Sequence, residues 1–158
     1  DIKPDQPLLL ETIPSLLERG TMMLPTLAPG FGPFPDQDAR WLDPPSEWAG
    51  TWYARRAAIC LYAALVADTA LDLIGSKDRL LVEGRFAEAE VFVRALAAFR
   101  PETEVYVANA HNDVSFGALR LIDPELQACG GLRRVEPLEG DLERYRAKWR
   151  EAVMKVCA

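Results

Sequence analysis

Arg79-Leu80-Leu81-Val82-Glu83-Gly84, followed by Arg85-Phe86 and an apolar run ending at Phe99, is the stretch that decides the fold. Three consecutive aliphatic residues predict a short buried strand, and Gly84 ends it. Ala87, Val91, Val93, Leu96, Ala97 and Phe99 then supply the apolar contacts of a helix over 87–99. Arg100-Pro101-Glu102-Thr103 breaks that helix. Glu104-Val105-Tyr106-Val107-Ala108 has the β-branched and aromatic content of a second strand. A polar turn at 109–113 leads into a short helix over 114–122 carrying Phe116, Leu119 and Leu121. Strand, helix, strand, helix at this spacing predicts an α/β fold with the two strands parallel.

Ligands of open α/β sheets bind at the carboxyl ends of strands, which makes Gly84 the first candidate site residue. A glycine there has two readings. It lets a flat ligand approach the backbone, next to the free N–H groups of a helix start. Or it simply meets a tight turn's need for positive φ.

Upstream, residues 1–19 read as a polar lead with one helical turn at 16–19, stopped by Gly20. Residues 21–25 read as a brief strand. Six prolines, with Gly30 and Gly32, make 25–45 a loop, and long loops in compact domains are usually functional or disordered. Ser46 is a candidate N-cap for a helix over 47–74, with Gly75 as its stop. Trp48, Trp52, Ile59, Tyr62, Val66, Ala70 and Leu73 form its stripe, and between 57 and 67 it is apolar nearly all round, as in a buried helix. Downstream, Gly130-Gly131 lies in a break and 132–135 is a candidate edge strand. An amphipathic helix over 141–156 closes the chain on Leu142, Tyr145, Trp149, Val153 and Val156, with Glu143, Arg144, Arg146, Lys148 and Arg150 on a solvated face.

The 158 residues are expected to form one domain: a lead and Pro-rich loop at 1–45, an α/β core at 46–122, and an edge segment with terminal helix at 123–158. The net charge is −6 and the basic residues are scattered, which argues against nucleic acid as partner. No apolar run reaches the roughly twenty residues of a membrane span, so no membrane partner is expected. Cys60, Cys129 and Cys157 are widely spaced and odd in number, without a CxxC pair. They argue for a reduced, cytoplasmic protein and against a zinc site.

Catalytic motifs are sparse. His111, the only histidine, lies two residues from Asp113 and reads as a polar loop residue rather than a base. Phosphate-loop, dinucleotide and nucleophile-elbow fingerprints are absent. Glu83, Glu88 and Glu90 read as surface or helix-dipole carboxylates before metal ligands, and neither a catalytic nor a metal residue is assigned.

Several segments, in order, resemble the C-terminal domain of the FGGY carbohydrate kinases. Leu24-Pro25-Thr26-Leu27-Ala28-Pro29-Gly30, with Pro33 and Ala39-Arg40, resembles the family's Leu-Pro-Tyr-Leu, Gly-Glu-Arg-Thr-Pro and Ala-Arg-Gly segment. Arg56-Ala57-Ala58-Ile59-Cys60-Leu61 resembles the start of its long helix. Leu81-Val82-Glu83-Gly84-Arg85-Phe86 resembles the strand and Gly-Gly turn facing adenine. Phe116-Gly117-Ala118-Leu119 is similar to its Gly-Ala-Ala helix, and Tyr145…Trp149 to its closing Tyr-x-x-x-Trp.

The resemblance implies a partial ribonuclease-H-like/actin-like ATPase domain, with a parallel βαβ core, a long buried helix and a C-terminal amphipathic helix. It implies that Gly84, Arg85 and Phe86 border adenine and that Asn109, Asn112 and Gly117 shape the neighbouring wall. ATP and Mg2+ are implied only with the full-length protein, together with an N-terminal kinase domain and a sugar substrate. The isolated chain is expected to be inactive, since the family's phosphate loops and catalytic aspartate lie outside the matched segments. Arg85 stands where the family has a second glycine, and either stacks on adenine or fills its space. The alternative is a non-catalytic binding or oligomerisation module that keeps the fold, with homo-oligomers as a further expectation. Missing strands imply an exposed sheet edge.

Overall fold

A computed structural model describes residues 5–44, 52–108, 114–127 and 131–155. The first element is longer than the sequence implies. Helix α1 spans Gln6–Arg19 and buries Gln6, Leu9, Ile13 and Leu16, a helical stripe. Pro7 lies in the first turn, where a missing N–H costs nothing, and Pro14 is accommodated inside the helix. Gly20 ends it as expected, with φ +69 and its N–H on the Leu16 and Leu17 carbonyls. A side chain at Gly20 would collide with Lys148, which crosses directly over it.

Strand β1 (Met22–Leu24) is buried at all three positions. The Pro-rich segment returns as a second strand, β2 (Arg40–Leu42), antiparallel to β1 with Met23 opposite Trp41. This segment reads as loop in sequence because fifteen residues rich in proline, glycine and aspartate precede its three strand residues.

Helix α2 (Trp52–Leu73) is the expected long helix, and Gly75 follows it; the start expected at Glu47 and the proposed cap Ser46 lie outside the described residues. Its buried positions are Ala57, Ala58, Leu61, Tyr62, Ala64, Leu65 and Asp68, whereas Trp52 and Leu73 of the expected stripe are exposed. The alanines decide this face. Their small side chains let α1, β1 and the next helix close in together.

Strand β3 (Arg79–Val82) is parallel to β4 (Glu104–Ala108), with Leu80 opposite Val105 and Val82 opposite Val107. Strand β5 (Leu132–Arg134) pairs antiparallel to β4 on its other side. Among the described residues the sheet order is β3-β4-β5, with β3 at an edge and β4 in the middle. Leu80 and Val82 are half-buried while Leu81 is 46% exposed, so β3 is not the buried strand that its composition suggests.

Helix α3 (Glu90–Phe99) returns between β3 and β4 and sits at the centre of the core. Seven of its ten residues are buried, against α2 and α1 on one side and β4 and the terminal helix on the other. Helix α4 (Val114–Ile122) follows β4 and lies exposed from Gly117 onward.

Helix α5 (Leu142–Met154) is capped by Asp141, whose carboxylate accepts the Arg144 N–H at 3.0 Å. Leu142, Tyr145, Trp149 and Val153 are buried as the stripe requires; Val156 lies outside the described residues. The Tyr145 hydroxyl donates to the Thr21 carbonyl at 2.8 Å, and Trp149 Nε1 donates to the Met23 carbonyl at 2.8 Å. The closing Tyr-x-x-x-Trp thus fastens α5 to the segment around β1. Burial pushes the Tyr145 hydroxyl far above its ordinary pKa, so it remains a donor.

Candidate functional site

At the carboxyl end of β3, Glu83 keeps an extended backbone (φ −124, ψ 170) and Gly84 then turns it with φ +68. A 3-10 turn, Gly84–Glu88, intervenes before α3 begins at Glu90, where the sequence predicts continuous helix from Ala87. Around Gly84 nothing lies within 4 Å of where a side chain would project. Positive φ is therefore what demands glycine here, and the space above it is open. We expect Gly84→Ala to cost about 1–2 kcal/mol through backbone strain alone, measurable as a lowered denaturant midpoint.

Arg85 and Phe86 are exposed on the same turn. The Phe86 ring is 60% exposed and leans on Phe92, with centroids 5.0 Å apart and planes tilted by 48°. The N-terminus of α3 is not the free anion site that the sequence suggests. The buried Gln6 side chain of α1 accepts the Glu90 N–H at 3.1 Å and caps the helix from outside. Glu90 itself reaches Arg94 at 3.8 Å, and Glu83 and Glu88 are exposed.

Because β3 and β4 are parallel and in register, the turn after Val82 and the segment after Ala108 leave the same edge of the sheet. Gly117 lies exposed on α4. Asn109, Asn112, His111 and Asp113 fall outside the described residues. Two open grooves lie elsewhere. One, of about 570 Å3, runs between α1 and α5 past Leu17, Gly140 and Tyr145. The other, of about 630 Å3, runs along Ala97, Pro101, Arg134 and Leu138. Neither borders Gly84.

The largest polar constellation was not anticipated. Asp68, 1% exposed, and Asp72 stand one turn apart on α2. Arg100 reaches Asp68 at 3.0 Å and Asp72 at 2.8 Å. Arg150 reaches Asp68 at 2.9 Å and Asp72 at 2.8 Å, and Arg146 lies 3.6 Å from Asp68. Arg100 also donates to the Ser76 carbonyl at 2.7 Å, and Arg146 to the Phe99 carbonyl. Burial opposes ionisation of Asp72, but the hydrogen bonds and charges of Arg100 and Arg150 outweigh it and hold its carboxyl below the ordinary value. The cluster locks α2, the end of α3 and α5 together. It corrects the view of Arg146 and Arg150 as merely solvated. The signal is two acids four residues apart in the largely apolar stretch of α2 after Arg56. Among the described residues, no three metal-ligating side chains gather into a cation site.

Residues 1–129 match the family described as carbohydrate kinase FGGY, C-terminal domain. The chain belongs to this family. A solved structure described as a carbohydrate kinase from Novosphingobium aromaticivorans is 63% identical and superposes with a TM-score of 0.85. The match covers 96% of this chain and 32% of that one, so the chain spans about a third of the length of the kinase it resembles. The comparison with curated proteins gives no match. As an FGGY C-terminal domain the chain has the ribonuclease-H-like/actin-like ATPase fold, with parallel βαβ strands, long helix and closing amphipathic helix in the expected order. None of its helices, among the described residues, is long and apolar enough to cross a membrane.

Proposed function

We propose that this FGGY domain is the nucleotide-side portion of an ATP-dependent carbohydrate kinase. The observation that carries the reading is the family match over residues 1–129. In the whole protein, ATP would supply the phosphoryl group transferred to a sugar hydroxyl, a reaction governed by positioning and electrostatics across a closing cleft. Gly84, Arg85 and Phe86 fit a flat base: a bare backbone with open space, beside a largely exposed ring. They would hold the adenine, with Asn109, Asn112 and Gly117 forming the adjacent wall. The described residues do not fit a resident Mg2+, which belongs with the nucleotide and the rest of the protein. The phosphate loops, catalytic base and sugar site belong to an N-terminal domain and the opening strands of the second domain. Alone, the chain phosphorylates no sugar.

A calorimetric titration with a non-hydrolysable ATP analogue tests this reading. We expect micromolar binding by the chain, weakened by Phe86→Ala roughly in line with the ~1–3 kcal/mol that a base gains by stacking on an aromatic ring. Phe86 is exposed, so the fold survives its truncation. Robust sugar phosphorylation by the chain alone would contradict the reading. A second reading, a binding or oligomerisation module without turnover, is favoured by Arg85 replacing the second glycine and by the exposed Leu119, Leu121 and Ile122 of α4. Absence of binding at millimolar analogue would select it.

A further inference from the structure

The turn that carries Gly84, Arg85 and Phe86 has little of its own to hold it. None of its five residues, Gly84–Glu88, is buried, and Glu83 at its start makes no side-chain cap. The Phe86 carbonyl accepts the Ala89 N–H at 3.1 Å, and the Phe86 ring leans on Phe92 of α3. Glu90 then opens α3, and the local cap position is Ala89, whose side chain has no acceptor. Gln6 fills that role from 84 positions away. It is 2% exposed, and because a backbone N–H can only donate, the atom that meets Glu90 is the amide oxygen. The start of α1 is itself braced. Asp5 pairs with Arg56 of α2, and the Arg56 guanidinium lies 5.4 Å from the centroid of the Trp52 ring.

We infer that Gln6 is a positioning residue for the Gly84–Glu88 turn: by accepting the Glu90 N–H it fixes where the turn ends and α3 begins, and so holds Phe86 where a nucleotide base would stack. The effect on affinity rests on the nucleotide reading, whereas the effect on the turn stands without it. The first N–H groups of a helix have no partner inside it, and the boundary between a 3-10 turn and an α-helix is soft. Without the Gln6 oxygen, the turn and the first residues of α3 exchange register, and Phe86 and Phe92 lose their fixed contact. A base that needs the capped form then binds more weakly, in proportion to how seldom that form is populated.

Amide hydrogen exchange and calorimetry on the 158-residue chain and three variants test it. Gln6→Met keeps the length of the side chain but offers no oxygen. Gln6→Glu keeps an oxygen at the same reach, whether ionised or not. Ile13→Val, at a buried position about two turns further along α1, weakens the packing of that helix without touching Glu90. In the absence of nucleotide, we expect Gln6→Met to speed exchange at the Glu90 amide roughly fivefold or more and to displace the amide resonances of Gly84–Glu88. Gln6→Glu and Ile13→Val retain the Glu90 protection. With a non-hydrolysable ATP analogue, Gln6→Met raises the dissociation constant roughly threefold or more, and the other two leave it unchanged. Circular dichroism melts verify that each variant folds. An unprotected Glu90 amide in the unaltered chain overturns the proposal before any substitution is made. So does a Gln6→Met chain with unchanged exchange and resonances, or one that binds the analogue as tightly as the unaltered chain does. Loss of protection in Gln6→Glu, or a dissociation constant raised as far by Ile13→Val as by Gln6→Met, overturns it too. If the unaltered chain binds no analogue, the nucleotide reading falls, while the exchange data still decide whether Gln6 sets the turn.

Discussion

Trp149→Ala is expected to lower the stability of the domain by about 3–5 kcal/mol, enough to unfold much of the chain at physiological temperature. Trp149 is 1% exposed and is among the largest fully buried side chains. Its ring meets Phe34 edge-on, with centroids 5.5 Å apart and planes at 80°. The substitution would empty the space between α5 and β1, and it would strip the Met23 carbonyl of its 2.8 Å donor. A buried acceptor left without a partner adds its own penalty. Trp149→Phe separates the two contributions, because it retains most of the ring volume and loses the donor. We expect it to cost about 1–3 kcal/mol. Denaturant titrations of the three proteins give the comparison. A loss below about 1 kcal/mol for Trp149→Ala would mean that α5 is not fastened to β1 as described.

Asp68→Ala should be comparably severe. It would leave Arg100, Arg146 and Arg150 facing one another around a single half-exposed carboxylate, Asp72. Removing one partner of a buried ion pair typically costs about 3–5 kcal/mol, since the opposite charge stays buried without compensation. Asp68→Leu alone should not rescue the protein, whereas Asp68→Leu with Arg100→Met, which removes both charges, should recover part of the loss. The same cluster sets an acid limit. The folded state holds Asp72 below the ordinary value of 3.8, so the unfolded chain takes up the proton first as pH falls. The stabilisation is complete above the unfolded value and disappears as pH drops through the folded one. We expect the melting temperature to be flat near neutrality and to fall below about pH 4. In Asp72→Asn that acid limb should become shallower. An unchanged limb would show that this carboxylate is not coupled to folding.

The sequence foretold the elements that rest on periodicity or on glycine. The β3–α3–β4–α4 order, the stop at Gly20, the turn at Gly84 and the stripe of α5 all follow from side-chain spacing and backbone freedom. What escaped it depends on neighbours distant along the chain. Gln6 looks like an ordinary polar residue until α1 carries it to the N-terminus of α3, 84 positions away. Pro7 and Pro14 hide a helix because proline weighs heavily in any local reading. The burial of three alanines of α2, while Trp52 and Leu73 stay exposed, is settled by how closely α1 and α3 approach. The aliphatic composition of β3 suggests a buried strand, yet among the described residues β3 lies at a sheet edge, since composition alone does not say how many neighbours a strand has. Of the candidate site, the turn at Gly84 has a local signature, glycine at a strand end, whereas Arg85 and Phe86 enter only through the family resemblance. Asp68 and Asp72 went unread because their partners lie on α5 and after α3.

The proposed role rests on the Gly84 turn meeting a nucleotide, and amide NMR spectra of the labelled chain, titrated with a non-hydrolysable ATP analogue, test that residue by residue. The account predicts saturable shifts confined to Gly84, Arg85, Phe86, Asn109, Asn112, Gly117 and the amides next to them in sequence. Shifts centred on the groove between α1 and α5, around Leu17 and Tyr145, or an unchanged spectrum at millimolar analogue, would contradict it.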